Sequence, residues 1–288
     1  MGDVLQTILG GKAPSQELVA IQGFEGSFHQ EAAEQFFGKD VPVLCCSHFR
    51  QLIKMATTNK EVKAAVMAIE NSIAGSILPN YNLLHRSGLH IIGEVYLQIN
   101  QQLLVYPGVA INDIREVHSH PMAILQCMDF LQKHDWKLVE TEDTALSAKM
   151  LRQHRVKHTA AIAGKNAARL FNLDILAPNI QSEKKNYTRF LVLRREGEHA
   201  PAPHVDKASV SFSVENSMGS LAKVLTMISD AGVNLTKLQS FPRPAKTWQY
   251  YFHADMQFTS IDNFNILINN LSREAIELKV YGIYQSAI

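Results

Sequence analysis

Residues Ala64-Ala65-Val66-Met67-Ala68-Ile69-Glu70-Asn71-Ser72 form an apolar run that ends in three compact polar side chains. The run does not alternate as a strand with one wet face would, so it reads as a strand covered on both sides. Upstream, residues 18–22 and 41–46 read as strands, and residues 29–37 and 47 to about 58 as helices. A helix over residues 78–85 follows. Strand–helix alternation of this kind predicts a largely parallel α/β sheet, whose ligands bind outside the carboxyl ends of the strands. Glu70, Asn71 and Ser72 stand at such an end, where a pocket is expected. The plainer alternative is that Asn71 or Ser72 caps the next helix.

Outward from this strand, Gly23-Phe24-Glu25-Gly26-Ser27-Phe28 is a turn into a helix. Its glycines let backbone approach something closely, and a helix N-terminus favours an anion. The spacing lacks the full dinucleotide fingerprint. Residues 89–100 and 101–106 read as extended segments that cross into a second lobe. In Val117-His118-Ser119-His120-Pro121, Ser119 before a proline signals a helix N-cap. The helix over 122–134 then places Met122, Gln126 and Phe130 on one mostly apolar stripe, where polar Gln126 either reaches a ligand or caps something internal. His118 and His120 share a face but have no third partner nearby, so no metal is expected. Strands over 136–140, 158–163 and 173–177 alternate with helices over 144–153 and 164–171, and Thr144 is a candidate N-cap.

The stretch Asn186-Tyr187-Thr188-Arg189-Phe190-Leu191-Val192-Leu193 reads as another buried strand. Alternation puts Thr188 and Phe190 on one face and Arg189 on the other. Residues 196–206, with Pro201 and Pro203, read as a linker. The remaining residues 207–288 show the pattern βαββαβ, an α+β layer structure of a size that folds alone.

The totals exclude several classes. A net charge of +1 without a basic block argues against nucleic acid. Three cysteines are too few for a disulfide framework, so reduced thiols are expected. No apolar run approaches the roughly 20 residues that span a bilayer. The first eleven residues lack the pattern of a signal peptide, so no membrane association is expected and the expected location is the cytoplasm.

Four stretches taken together resemble the prephenate dehydratase family: Gly23 to Phe28, Ala68 to Ser76, Ser119-His120-Pro121 with Gln126-Cys127, and Asn186 to Phe190. The tail resembles an ACT regulatory domain, through Gly219-Ser220-Leu221 and Gly232-Val233-Asn234-Leu235-Thr236. The resemblance implies a two-lobed, periplasmic-binding-protein-like α/β catalytic domain over residues 15–195, with a cleft between its lobes. A linker (196–206) and a ferredoxin-like ACT domain (207–288) follow. The implied reaction converts prephenate to phenylpyruvate, CO2 and water without metal or organic cofactor.

The resemblance assigns Thr188, Glu70, Asn71 and Gln126 to catalysis, and Ser72, Ser119, Thr144, Arg189, Phe190, Gly26 and Ser27 to substrate binding. Thr188 would donate to the departing oxygen, with Glu70 as a candidate proton source. Arg189 would meet the pyruvyl carboxylate or be structural. L-phenylalanine is the implied effector, held near Gly219, Ser220, Leu221, Asn234, Leu235 and Thr236 in a homodimer or homotetramer.

Two departures stand out. Met122 follows Ser-His-Pro where the family often has Gln, and Gln239-Ser240-Phe241-Pro242 replaces the Glu-Ser-Arg-Pro tied to phenylalanine sensing. The rival readings are an arogenate dehydratase and a non-catalytic two-lobed amino-acid sensor. A transcriptional regulator lacks a helix-turn-helix or basic patch.

Overall fold

The computed structural model describes residues 17–198, 204–243 and 249–287. The first eleven residues, residues 15 and 16, linker Pro201 and Pro203, Thr247 at the start of the strand expected over 247–256, Trp248 and Ile288 lie outside the described residues.

In chain order come β1 (Leu18–Gln22), α1 (Phe28–Phe37), β2 (Val43–Cys46), α2 (Phe49–Thr58) and β3 (Val62–Asn71). They are followed by β4 (Gly75–Ser76), α3 (Leu78–Ser87), β5 (Leu89–Gln98) and β6 (Gln102–Val105). Next are β7 (Glu116–Ser119), α4 (Pro121–Gln126), α5 (Met128–Leu131), β8 (Lys137–Glu140) and α6 (Thr144–His154). The chain continues through β9 (Thr159–Ala163), α7 (Lys165–Phe171), β10 (Asp174–Ala177) and β11 (Tyr187–Arg195). The tail contributes β12 (Lys207–Ser213), α8 (Ser220–Asp230), β13 (Asn234–Pro242), β14 (Tyr250–Gln257), α9 (Ile261–Glu274) and β15 (Glu277–Tyr284).

Two compact units result, and neither is one continuous stretch of sequence. The first joins residues up to Val66 with Gln98–Asn186; the second joins Met67–Leu97 with the chain from Tyr187 onward.

In the first unit, β1 lies parallel between β2 and the start of β3, with Ala20 opposite Leu44 and Ala65. Its other sheet has the order β10-β6-β9-β7-β8. There β7 is parallel to β8 and β9, while β6 is antiparallel to β9 and β10, so the sheet is mixed. Ala123, Ile124, Cys127 and Leu131 pack onto it with Leu103, Val117 and Ile162. The helix expected over 122–134 is therefore two short ones, broken at Cys127 (φ −110°, ψ 11°). Met122 is exposed and Gln126 half-buried, so the buried stripe is not the one through Met122, Gln126 and Phe130.

In the second unit, the end of β3, β11 and β5 are neighbours in one sheet, with β4 paired to β3. The tail forms an antiparallel sheet of order β13-β14-β12-β15. Val224 and Ile228 of α8, with Phe264, Leu267 and Leu271 of α9, cover one face by packing on Ala208, Val210, Phe212, Ala254 and Met256. The opposite face carries Lys207, Ser209, Ser211, His253, Asp255 and Tyr284, all buried. It is covered by β5, α3 and β11. Contact there is so close that a Cβ on Gly282 would fall on the Ile91 carbonyl. Among the described residues no helix is long and apolar enough to cross a membrane.

Candidate active site

The end of β3 and the start of β11 form one hydrogen-bonded corner of the second unit. Asn71 Nδ2 donates to Thr188 Oγ1 at 3.0 Å and to the Tyr187 carbonyl at 3.2 Å. Asn71 Oδ1 accepts from the N–H groups of Ile73 (3.0 Å) and Ala74 (2.9 Å). Donors on one side and acceptors on the other fix the orientation of the amide. Ser72 completes the corner: its N–H donates to the Tyr187 carbonyl (2.8 Å), and its Oγ accepts from the Tyr187 N–H (2.9 Å). Neither residue caps α3, which begins after Ile77 with a proline in its first turn and no side-chain cap. Thr188 is 9% exposed. Asn71 holds a lone pair of its oxygen, which leaves the hydroxyl proton to be donated elsewhere.

Three expectations for this stretch change. Arg189, expected at a substrate carboxylate, is 5% exposed and fully engaged within the protein. Its Nε donates to Glu94 Oε2 at 2.7 Å, one terminal nitrogen to Asp255 and the other to Tyr284 Oη at 3.1 Å. These bonds hold its guanidinium inside the protein's own charge network. Phe190 is fully buried in the core rather than set beside a ligand. Glu70, expected as a proton source, has its carboxylate on Lys237 Nζ at 2.6 Å.

The buried face around Arg189 is a charge network. Glu94 also accepts from Lys207 Nζ at 2.8 and 3.0 Å, and Asp255 accepts from Ser209 Oγ at 2.5 Å. Burial pushes the Asp255 carboxyl up, but the Arg189 charge and a hydrogen bond from His253 outweigh it and hold the group well below the usual range. Composition gave no sign of this network. The one local signal was a charge, Glu94, inside the apolar strand Ile91-Ile92-Gly93-Glu94-Val95.

The other expected residues lie in the first unit. Gly26 and Ser27, expected at substrate, are buried and serve the turn. Gly26 N–H donates to Gln30 Oε1 at 2.7 Å, its φ is +83°, and a Cβ there would meet the Ala167 backbone. Ser27 is the N-cap of α1. Gly23 in the same turn sits against the Asp143 carboxylate. Asp143, not Thr144, caps α6, through Leu146 N–H at 2.9 Å. Burial raises the Asp143 carboxyl above its ordinary value. His120, not Ser119, caps α4, since its Nδ1 accepts from Met122 N–H at 3.2 Å. Ser119 is fully buried and donates to the Ile162 carbonyl at 2.7 Å. Gln126 and Thr144 are half-buried, and their side chains make no hydrogen bond to the described residues. His118 Nε2 lies 3.3 Å from a Glu116 carboxylate oxygen, while His120 Nδ1 faces Met122 N–H.

In the tail, Ser220 opens α8 behind Gly219 (φ +84°). Asn234 pairs with Gln257, which in turn pairs with Lys207 at the start of β12. Gly219, Ser220 and Leu221 follow the far end of β12, so they and Asn234-Leu235-Thr236 sit at opposite ends of the sheet. Cavities of about 380 and 290 Å³ lie at the α8 end, beside Ser220 and Leu221 respectively. Phe241, where the phenylalanine-sensing signature has arginine, is buried against Tyr251 and Tyr81, with ring centroids 5.1 and 5.5 Å away.

A sequence profile of the family described as prephenate dehydratase matches residues 19–198. The chain belongs to the prephenate dehydratase family. Members are decarboxylating dehydratases, and the assignment makes this family member a lyase. The ACT domain profile matches residues 208–262. The chain is 36% identical over 280 residues to arogenate dehydratase/prephenate dehydratase 2, chloroplastic, of Arabidopsis thaliana, covering 94% of this chain and 73% of that protein. The solved prephenate dehydratase from Arthrobacter aurescens in complex with L-Phe superposes with a TM-score of 0.83 at 26% identity, over 93% of this chain and 90% of that one. A solved structure described as GqqA, a novel type of quorum quenching acylase, has a TM-score of 0.84 at 30% identity, over 94% and 98% of the two chains.

Proposed function

We propose that this prephenate dehydratase family member removes the ring carboxylate and ring hydroxyl of prephenate, with the Thr188 hydroxyl donating to the departing oxygen. The observation that carries the reading is the 3.0 Å bond from Asn71 Nδ2 to Thr188 Oγ1, which orients that hydroxyl. In the reaction the C–CO2 bond breaks, its electron pair enters the ring, and the C–O bond breaks to release hydroxide. One proton is taken up to make water. Aromatisation drives the step, so the residues need only orient the substrate and assist the leaving oxygen. Asn71 holds Thr188, and neutral hydrogen-bonding groups are proposed for the substrate carboxylates. Neutral donors suit a carboxylate that must be lost, because a tight cationic clamp would stabilise the ground state.

Arogenate differs from prephenate by an amino group in place of the keto oxygen. Prephenate is the proposed substrate, and turnover of each by the purified chain, followed as phenylpyruvate or phenylalanine formed, separates them. Formation of neither product leaves the amino-acid sensor as the reading. We also propose L-phenylalanine as the effector, bound in a homodimer or homotetramer. The two halves of the expected effector site lie at opposite ends of one tail sheet, which supports a second copy uniting them. Sedimentation and turnover with and without phenylalanine test this. The proposed location is the cytoplasm, where free thiols such as Cys45, Cys46 and Cys127 persist, and cell fractionation tests it.

A further inference from the structure

The loop that carries Asn71 is held from the regulatory tail. Glu70 of β3 and Ser76 of β4 are directly paired, as are Asn71 and Gly75, so these residues form a tight antiparallel turn with Asn71 at its head. Lys237 of β13 reaches the base of that turn. Its Nζ donates to Glu70 Oε1 at 2.6 Å and to Ser76 Oγ at 2.8 Å, bridging both strands. The Lys237 side chain is 12% exposed and lies over the Tyr81 ring, with Nζ 5.5 Å from its centroid. This is not a loose surface pair: the ammonium is mostly removed from water and has two oxygen partners. Across the corner, Arg189, next to Thr188, is bonded to Asp255 of the neighbouring tail strand. The Asn71–Thr188 bond thus stands between two charge-assisted ties to the tail sheet.

We propose that Lys237 is a positioning residue for the dehydration, acting through Glu70 and Ser76 on Asn71 and thereby on the Thr188 hydroxyl. The proposal rests on the reading of Thr188 given above. It also makes the tail sheet part of the machinery that aligns the reacting group, since Lys237 directly follows Asn234-Leu235-Thr236 in β13. A ligand that shifts this strand shifts the corner.

The test uses the full chain and prephenate turnover. Lys237→Met keeps the stem of the side chain and removes the charge. A displacement of the order of 1 Å at a positioned group costs up to about a hundred-fold, so kcat is expected to fall about ten- to a hundred-fold with KM within about two-fold. Lys237→Arg, which keeps the charge, is expected to recover most of kcat, and the charge-swapped pair Glu70→Lys with Lys237→Glu is expected to exceed either single variant. A folded Lys237→Met protein with wild-type kcat overturns the proposal, as does an equal loss for Lys237→Arg and Lys237→Met. Should Lys237→Met not fold, Glu70→Gln removes the same ion pair without emptying the space, and wild-type kcat there overturns it equally. A Thr188→Ala protein with undiminished turnover would instead refute the underlying reading of Thr188, whatever the Lys237 variants do.

Discussion

Arg189→Met is the most informative test of what binds the tail sheet to the strand carrying Thr188. The substitution removes donors to Glu94, Asp255 and Tyr284 at a site 5% exposed. Glu94 keeps Lys207 at 2.8 Å, but Asp255 retains only Ser209 Oγ at 2.5 Å and His253 at 3.1 Å. Breaking one side of a buried ion pair costs about 3–5 kcal/mol, because the surviving charge is stranded. For a chain of this size that lowers Tm by about 5–8 °C, read by circular dichroism. Adding Asp255→Asn removes the stranded charge, so the double variant should melt above the single one. A single variant melting within about 2 °C of the parent refutes the account of this network. So does a double variant no more stable than the single.

Two further outcomes follow from the same face. The folded-state pKa of Asp255 is depressed, so the unfolded chain binds more protons between that value and about 4. Its stabilisation is therefore complete above about pH 4 and fades as pH falls toward the folded value. Urea midpoints should drop less between pH 6 and 3 for Asp255→Asn than for the parent, and equal drops would contradict this. Gly282→Ala sets a methyl against the Ile91 carbonyl and should destabilise by about 1–3 kcal/mol, with unchanged urea stability as the contrary result.

The βαββαβ order of the tail was legible because each element carries its own period and boundary. The strand of residues 207–213 shows where such reading stops. Ala208, Val210 and Phe212 alternate with Ser209, Ser211 and Ser213, the pattern of a strand with one face in water, yet all of these residues are buried. Hydrogen bonds to Asp255, Tyr284 and Tyr281 satisfy Ser209 and Ser211, and those partners lie 46 to 75 residues away. Local pattern carries no information about such distances. Asn71 and Thr188, 117 residues apart, were linked through motif resemblance rather than periodicity.

The two capping misreadings have a simpler cause. Pro121 occupies the first turn of α4, so its cap is the residue directly before it, His120, and not Ser119. At α6, Asp143 and Thr144 both carry capping oxygens; the Asp143 carboxylate is the one bonded to Leu146 N–H, three residues on. The close backbone approach read from Gly23 and Gly26 is to Asp143 and Ala167 of the chain itself, although Gly26 was expected at substrate.

The central claim is that the Thr188 hydroxyl, oriented by Asn71, assists the departing oxygen. Thr188→Val keeps the shape of the side chain and removes only the hydroxyl, so the single-turnover rate of prephenate decay in this variant tests it most directly. Loss of a positioned proton donor predicts a fall of about 10²–10⁴-fold, with Thr188→Ser retaining most of the rate. A Thr188→Val enzyme that turns prephenate over as fast as the parent would contradict the account.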